Sequence, residues 1–381
     1  MKHRFAISLL LLLGVALCCA CRRDEPEAFE KEQVAPPETV GQVVGFYLLN
    51  QGNMGSNKAT LDYFDYTTGI YSRNIFANRN PEVTKELGDV GNDLKAYGEK
   101  LYAVINCSNL IEVMDLRTAR HIKAIEVPNC RYLAFANGKA YVSSYAGPVQ
   151  LGNKILGRVV EIDTTTLQIT RSCTVGYNPE EMAVIGQKLY VVNSGGYLID
   201  EGYDNRLSVI DLESFTELKK IELTPNMQCI RVTGQNQLLI SSRGNYGDQP
   251  SNLLLFDPES ETVAYNFGRA ASNMSIWGDQ CLLYAWQYDQ TTGTEHCSYY
   301  RIDTRHPEAA PAALVTDGTD GRIAVPFCIG VHPETGDFLL GDAADYVSPG
   351  TLYCFSASGR LKWKTTTGDI PAAVAFVHQK P

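Results

Sequence analysis

The chain predicts an all-β fold, a seven-bladed β-propeller with four-stranded blades. Three observations carry that prediction. First, a short phrase returns seven times: an apolar strand, an Asp or Ser, a turn, another strand. Its anchors are Asp65, Asp115, Asp163, Asp211, Asp257, Asp303 and Ser356, spaced by 50, 48, 48, 46, 46 and 53 residues. A period of that size built from short strands is the mark of a propeller blade. Second, each repeat divides into strands of alternating character. Third, the first repeat lacks an inner strand, and a spare one follows the last repeat.

The N-terminal segment is read separately from the repeats. Lys2 and Arg4, an apolar run from Ile7 to Leu17 and then Cys18-Cys19-Ala20-Cys21 read as a secretory signal over 1–20. It is too short for a comfortable membrane span. A signal ending in cysteine after small residues resembles that of bacterial lipoproteins, which makes Cys21 the lipid-bearing residue. Position minus three is then Cys18 rather than the usual Leu, so Cys19 is the alternative. Residues 21–42 are charged and Pro-rich, with little to bury, and read as a flexible tether. Asp24-Glu25 resembles the export signal of surface lipoproteins in Bacteroides-like bacteria, which implies an outer-membrane, lipid-anchored protein facing the exterior.

Residues 43–381 form the expected propeller. Without the signal, 31 basic residues face 43 acidic ones. That balance argues against nucleic acid and against an anionic membrane face. Inner strands read NDLKAYG, NCRYLAFANG, NPEEMAVIG, NMQCIRVTG, SNMSIWG and PFCIGVHPETG, most opening with Asn or Pro and closing with Gly. Second strands follow (KLYAVIN, KLYVVNS, QLLISSR), and third strands such as RLSVID and NLLLFD carry the Asp anchor. Fourth strands such as ELKKIEL are more polar and suit an exposed edge. The anchor Asp is expected to accept turn amides, a role in the fold rather than in catalysis. DIPAAVAFV at 369–377 supplies the missing inner strand beside GFYLLNQG at 45–52 and closes the ring.

This strand order places the loops between second and third strands on one rim. They are long, whereas the turns of the other face have two to four residues, and long loops on a rigid scaffold are where binding usually sits. Tyr, Trp, Asn, Ser and one Arg populate them. The candidate ligand residues are Asn50, Asn106, Tyr145, Asn193, Tyr197, Tyr203, Arg243, Tyr246, Trp286, Tyr288 and Tyr346. Aromatics give broad contact area and Asn and Ser adaptable hydrogen bonds, which suits a sizeable, amide- or hydroxyl-rich ligand. Asp200, Glu201 and Asp204, and separately Asp317 and Asp320, offer oxygen ligands for Ca²⁺, but neither group has the spacing of a calcium loop. No metal or cofactor is expected. Six scattered histidines, no GxSxG and no Gly-rich phosphate loop give no enzyme signal. Eight cysteines in the propeller include no CxxC pair; Cys281 and Cys297 fall on neighbouring strands, and the group reads chiefly as small buried hydrophobes.

The phrase LYVVN…LSVIDLESFTELKKIEL resembles the YncE-like propellers over about residues 44–377. With the lipoprotein signal, the acidic tether and a ring opening GFYLLNQGNMGSNKATLDYFD, the chain is similar to the BtuG-type surface lipoproteins of gut Bacteroides. That resemblance implies a non-catalytic protein that captures vitamin B12 and related corrinoids and passes them to a TonB-dependent (BtuB-type) outer-membrane transporter. Competing readings are a scaffold gripping another protein or a surface glycan, and a propeller hydrolase or lyase.

Overall fold

The computed structural model describes residues 30–379, apart from 39–40, 84–85, 149, 153 and 290–292, and apart from the side chains of Tyr288 and Asp289. The expected signal over 1–20 and the expected lipidation at Cys21 fall outside the described residues. Seven antiparallel sheets are arranged around an axis, six with four strands and one with five. Blade 1 holds Val43–Asn50, Thr60–Asp65 and Ile70–Ser72; blades 2 to 7 begin at Gly91, Cys130, Pro179, Met227, Asn273 and Pro326. Each inner strand lies against the inner strand of the next blade, all the way round.

Closure follows the expected pairing. Pro371–His378 runs antiparallel to Val43–Asn50, with Gly45 opposite Val377 and Leu49 opposite Ala373. Phe46 is fully buried at this seam and packs on Phe64, Phe376 and Trp363, the last in a parallel stack at 6.5 Å. Strand alternation explains the rest of the core. In Lys139–Ser144, Ala140 and Val142 point into the cluster shared with blade 2, whereas Tyr141 points into the one shared with blade 4. The two faces of a blade are thus buried against different neighbours. Turns tighten the same packing: Gly336 has φ +74°, and a Cβ there would come within 2.6 Å of the Trp277 ring of blade 6.

The Asp anchors do what the repeat predicted. Amides of Thr67, Thr118, Thr166, Ser214, Glu259 and Arg305 donate to Asp65, Asp115, Asp163, Asp211, Asp257 and Asp303 at 2.7–2.9 Å. In the seventh repeat Ser356 Oγ accepts from the Arg360 amide. The hydroxyl and amide of Ser214 hold Asp211 below the usual carboxylate range.

One expectation is corrected. Part of the proposed tether belongs to the fold: Lys31–Gln33 pairs with Ile70–Ser72 as a fifth strand on blade 1. The short outer strand leaves unpaired backbone groups, and the polar segment satisfies them. Gln33 Nε2 donates to the Thr68 carbonyl at 2.7 Å, and the Val34 amide to that of Gly69 at 3.0 Å. Glu32 accepts from the Thr365 hydroxyl at 2.8 Å, and Glu38 meets Lys362 at 3.3 Å, so the segment also reaches blade 7. The eight propeller cysteines carry free thiols. Cys281 faces Ile302 and Cys297 faces Trp286 in register, so the two are not opposite one another.

Removing residues 1–38 should leave the ring folded and lower its unfolding free energy by about 1–3 kcal/mol, at about 1 kcal/mol for each net hydrogen bond lost. Urea titration followed by tryptophan fluorescence reads this. An unchanged midpoint would show that the strap adds nothing.

Candidate functional site

A cavity of about 860 Å³ opens at the axis, lined by inner strands below and by the loops of blades 5, 6 and 7 above. Its lower wall is made by a repeated backbone irregularity. In six of the seven blades the inner strand slips register against the second strand near its start. The residues between the paired positions are Asn92, Arg131 with Tyr132, Glu180 with Glu181, Gln228 with Cys229, Phe327, and Ala372. All but Glu180 line the cavity. A bulge leaves a residue unpaired and re-aims its side chain, so each slip turns one or two side chains toward the axis. Blade 6 alone pairs Asn273–Trp277 without a slip.

The charges on this wall are mostly spoken for. Arg131 pairs with Glu180 at 3.1 Å, and Glu180 also takes the Tyr145 hydroxyl. Glu181 holds Arg231 and accepts from the Ile230 amide at 2.9 Å. Asp93 accepts the Leu133 amide at 2.9 Å and lies 3.5 Å from Lys95. These contacts each tie one blade's inner strand to the next or steady it. Arg243 differs: it lines the cavity and, among the described residues, its guanidinium makes no close ion pair and no hydrogen bond, although Tyr246 and Glu180 favour its charge. The Cys229 thiol is pushed up to about 12 by burial, which keeps it protonated and a poor nucleophile. Among the described residues no three His, Cys, Asp or Glu are placed to share a metal ion. Asp204 instead holds Arg206 at 2.8 Å and the Tyr177 amide, and Asp317 accepts the Leu361 amide at 2.7 Å.

The mouth is aromatic. Tyr246, Trp286 and Tyr346 are 59%, 36% and 42% exposed and all line the cavity. Tyr203 packs on Tyr246 at 6.1 Å, and Phe327 meets Tyr346 edge-on at 6.1 Å. Tyr203, Tyr246 and Tyr346 have φ of 71°, 55° and 66°. Bulky side chains rarely take that left-handed conformation. The Tyr246 loop is fixed by Gly244, at φ +69°, and by the Asn245 amide donating to the Gln249 carbonyl at 3.0 Å.

Of the eleven candidate residues, the structure brings Arg243, Tyr246, Trp286 and Tyr346 to the cavity and puts Tyr203 beside them. Three are corrected. Asn50 is fully buried and donates to Asp62 at 2.9 Å. Asn106 donates to the Cys130 carbonyl at 2.7 Å, and Asn193 to that of Arg206 at 2.7 Å. These amides tie the end of a second strand to its neighbours, Asn50 through the Asp62 side chain and Asn106 and Asn193 through backbone carbonyls. Tyr145 is buried behind the wall, under the Arg131 guanidinium at 5.0 Å, and Tyr197 packs on Tyr145. The Tyr288 side chain lies outside the described residues. Reading loops alone missed Asn92, Arg131, Tyr132, Glu181, Gln228 and Phe327. Their signal was present as paired polar residues (ND, RY, EE, QC) where an axial strand should alternate.

The chain belongs to the family described as a domain of unknown function (DUF5074), whose model matches residues 44–341. No curated protein matches it. Kuenenia stuttgartiensis hydrazine synthase is similar in structure, at 14% identity and TM-score 0.62, over 75% of this chain and 89% of that one. A quinoprotein alcohol dehydrogenase-like protein from Bacteroides thetaiotaomicron is similar at 12% identity and TM-score 0.62, over 88% and 78%. At such identities the likeness shows fold alone. The seven-bladed propeller expected from the repeats is shown, whereas the YncE-like and BtuG-type resemblances rest on the sequence phrases.

Glu181→Ala should destabilise the domain by about 3 kcal/mol, because it strands Arg231 and the Ile230 amide in a largely buried place. Chemical denaturation measures this; a loss under about 0.5 kcal/mol, the size of an ordinary surface change, would remove the clasp role.

Proposed function

We propose that this DUF5074 propeller is a non-catalytic capture protein for corrinoids of the vitamin B12 class. The observation that carries the reading is the conjunction at the cavity mouth: three exposed aromatics, two of them in left-handed conformations, around an uncommitted guanidinium. Strained residues cluster where a ligand is clamped, and each costs about 1–3 kcal/mol that surrounding structure must offset. A corrinoid offers a flat conjugated face for Tyr246, Trp286 and Tyr346, and peripheral amides for Asn92 and Gln228 deeper down. About 860 Å³ lies toward the upper end of small-molecule sites, which run about 300–1,000 Å³. A mostly uncharged ligand is also compatible with an acidic chain.

Support for the wider setting is the sequence alone. On this reading the protein is held at the outer-membrane surface by lipid on Cys21 and hands its cargo to a TonB-dependent transporter. The absence of catalysis is part of the proposal. It is supported by the wall, whose carboxylates are bound to arginines and backbone amides rather than free for acid–base work.

Purified propeller mixed with cyanocobalamin and desalted should stay red. The double variant Trp286→Ala with Tyr246→Ala should weaken binding in calorimetry by more than tenfold, about 1.4 kcal/mol or more. No heat with any corrinoid would end the proposal, and full affinity in the double variant would move the site elsewhere.

A further inference from the structure

A second groove, of about 640 Å³, lies between blades 5 and 6 and shares Pro250, Ser251, Ala270 and Gln287 with the axial cavity. Its chemistry differs from that of the aromatic mouth. Asn252, Asn266, Gln287, Ser298 and Tyr300 offer amides and hydroxyls, Arg269 offers a guanidinium, and no carboxylate lines it. That is notable in a chain of net charge −10. Among the described residues neither Arg269 nor Arg243 has an ion-pair partner. Arg243, at the start of the loop 243–251, lines the cavity, and Arg269 lines the groove.

We infer that the groove is a second compartment of the binding site and takes a polar, anionic arm of the ligand, of sugar-phosphate character. The inference rests on the corrinoid reading for the body of the ligand but not for the arm. Three features carry it. The groove is continuous with the cavity through four shared residues. Its amides and hydroxyls match hydroxyl-rich groups, which a flat aromatic mouth would leave unpaired. The Arg269 guanidinium in the groove, without an ion-pair partner among the described residues, gives an anion a place that the paired Arg131 and Arg231 do not. A ligand with a flat body and such an arm would straddle the loop, body over the aromatics and arm in the groove.

The test compares cobalamin with cobinamide, which lacks the nucleotide arm, by calorimetry on wild type and Arg269→Gln. It adds ribose 5-phosphate as a probe of the groove, read by saturation-transfer NMR on the same two proteins. Expected are a preference for cobalamin of about tenfold or more that narrows to about threefold or less in the variant, and a ribose 5-phosphate signal lost in the variant. Equal affinity of wild type for both corrinoids, or a preference untouched by Arg269→Gln, overturns the inference and leaves the capture reading standing. Ribose 5-phosphate binding that depends on Arg269, with no corrinoid binding at all, removes the capture reading and keeps the groove. Absence of all binding removes both.

Discussion

The pairing of Pro371–His378 with Val43–Asn50 is the constraint on which the rest of the molecule depends. It joins residues more than 300 positions apart, so its loop-closure cost is large and its contacts must be dense. They are: the seam buries Phe46, Leu48 and Phe64 against Leu339, Leu352 and Trp363 of blade 7. The inner strand it supplies also sits between those of blades 7 and 2. Were that strand absent, blade 1 would have no axial layer, the cavity would lose Ala372, Ala373 and Val374, and two sheet edges would stand open. The polar strap from Lys31 reinforces the same seam from outside, joining blade 1 to Thr365 and Lys362 of blade 7.

A closed ring of similar blades would by itself give a uniform apolar axis. The register slips convert it into a site. Each adds a residue to the inner strand just where that strand leaves its loop, and the added side chain has no place in the ladder. Because the slips recur in six blades, the exposed side chains form one belt, and their identities vary from Ala372 to Arg131. The belt then needs charge balance. Arg131 with Glu180 and Arg231 with Glu181 neutralise one another across blade boundaries and stiffen the wall. What is left uncommitted sits higher, on the loops.

The fold was legible because its signal is redundant: seven anchors, a steady period and a spare strand all agree. The rim was legible in part, since loop length marks Arg243, Tyr246, Trp286 and Tyr346. Asn50, Asn106 and Asn193 were misread for a physical reason. They recur at the same place, the end of a second strand, in three blades, and recurrence at one blade position signals a fold role, as it did for Asp. In other blades Ser144 and Ser242 stand there and donate to the Pro128 and Pro225 carbonyls. The belt was hidden because a bulge breaks the period-two pattern over only one or two residues, and a single charged residue in a strand looks like noise. The strap was hidden by its polarity. Its strand is held by backbone hydrogen bonds to an open edge, which need no apolar side chains.

Links between neighbouring blades brace much of the rim. Asn53 donates to the Tyr346 carbonyl at 2.6 Å, tying the loops of blades 1 and 7. The Gly55 amide meets Asp89 at 2.8 Å, the Asn129 amide meets Asn109 at 2.7 Å, and the Gly152 amide meets the Tyr197 carbonyl at 2.8 Å. Tyr203 against Tyr246 continues the chain to blade 5. Blade 6 is also the one without a slip at the axis, and its middle strands, Gln280–Asp289 and Thr294–Asp303, are its longest. A cross-braced arc resists deformation. The cavity and the side groove share Pro250, Ser251, Ala270 and Gln287, on segments of blades 5 and 6. Blade 6 therefore reaches the cavity through its second strand and loop, with Tyr284, Trp286 and Gln287, rather than through a slipped inner strand.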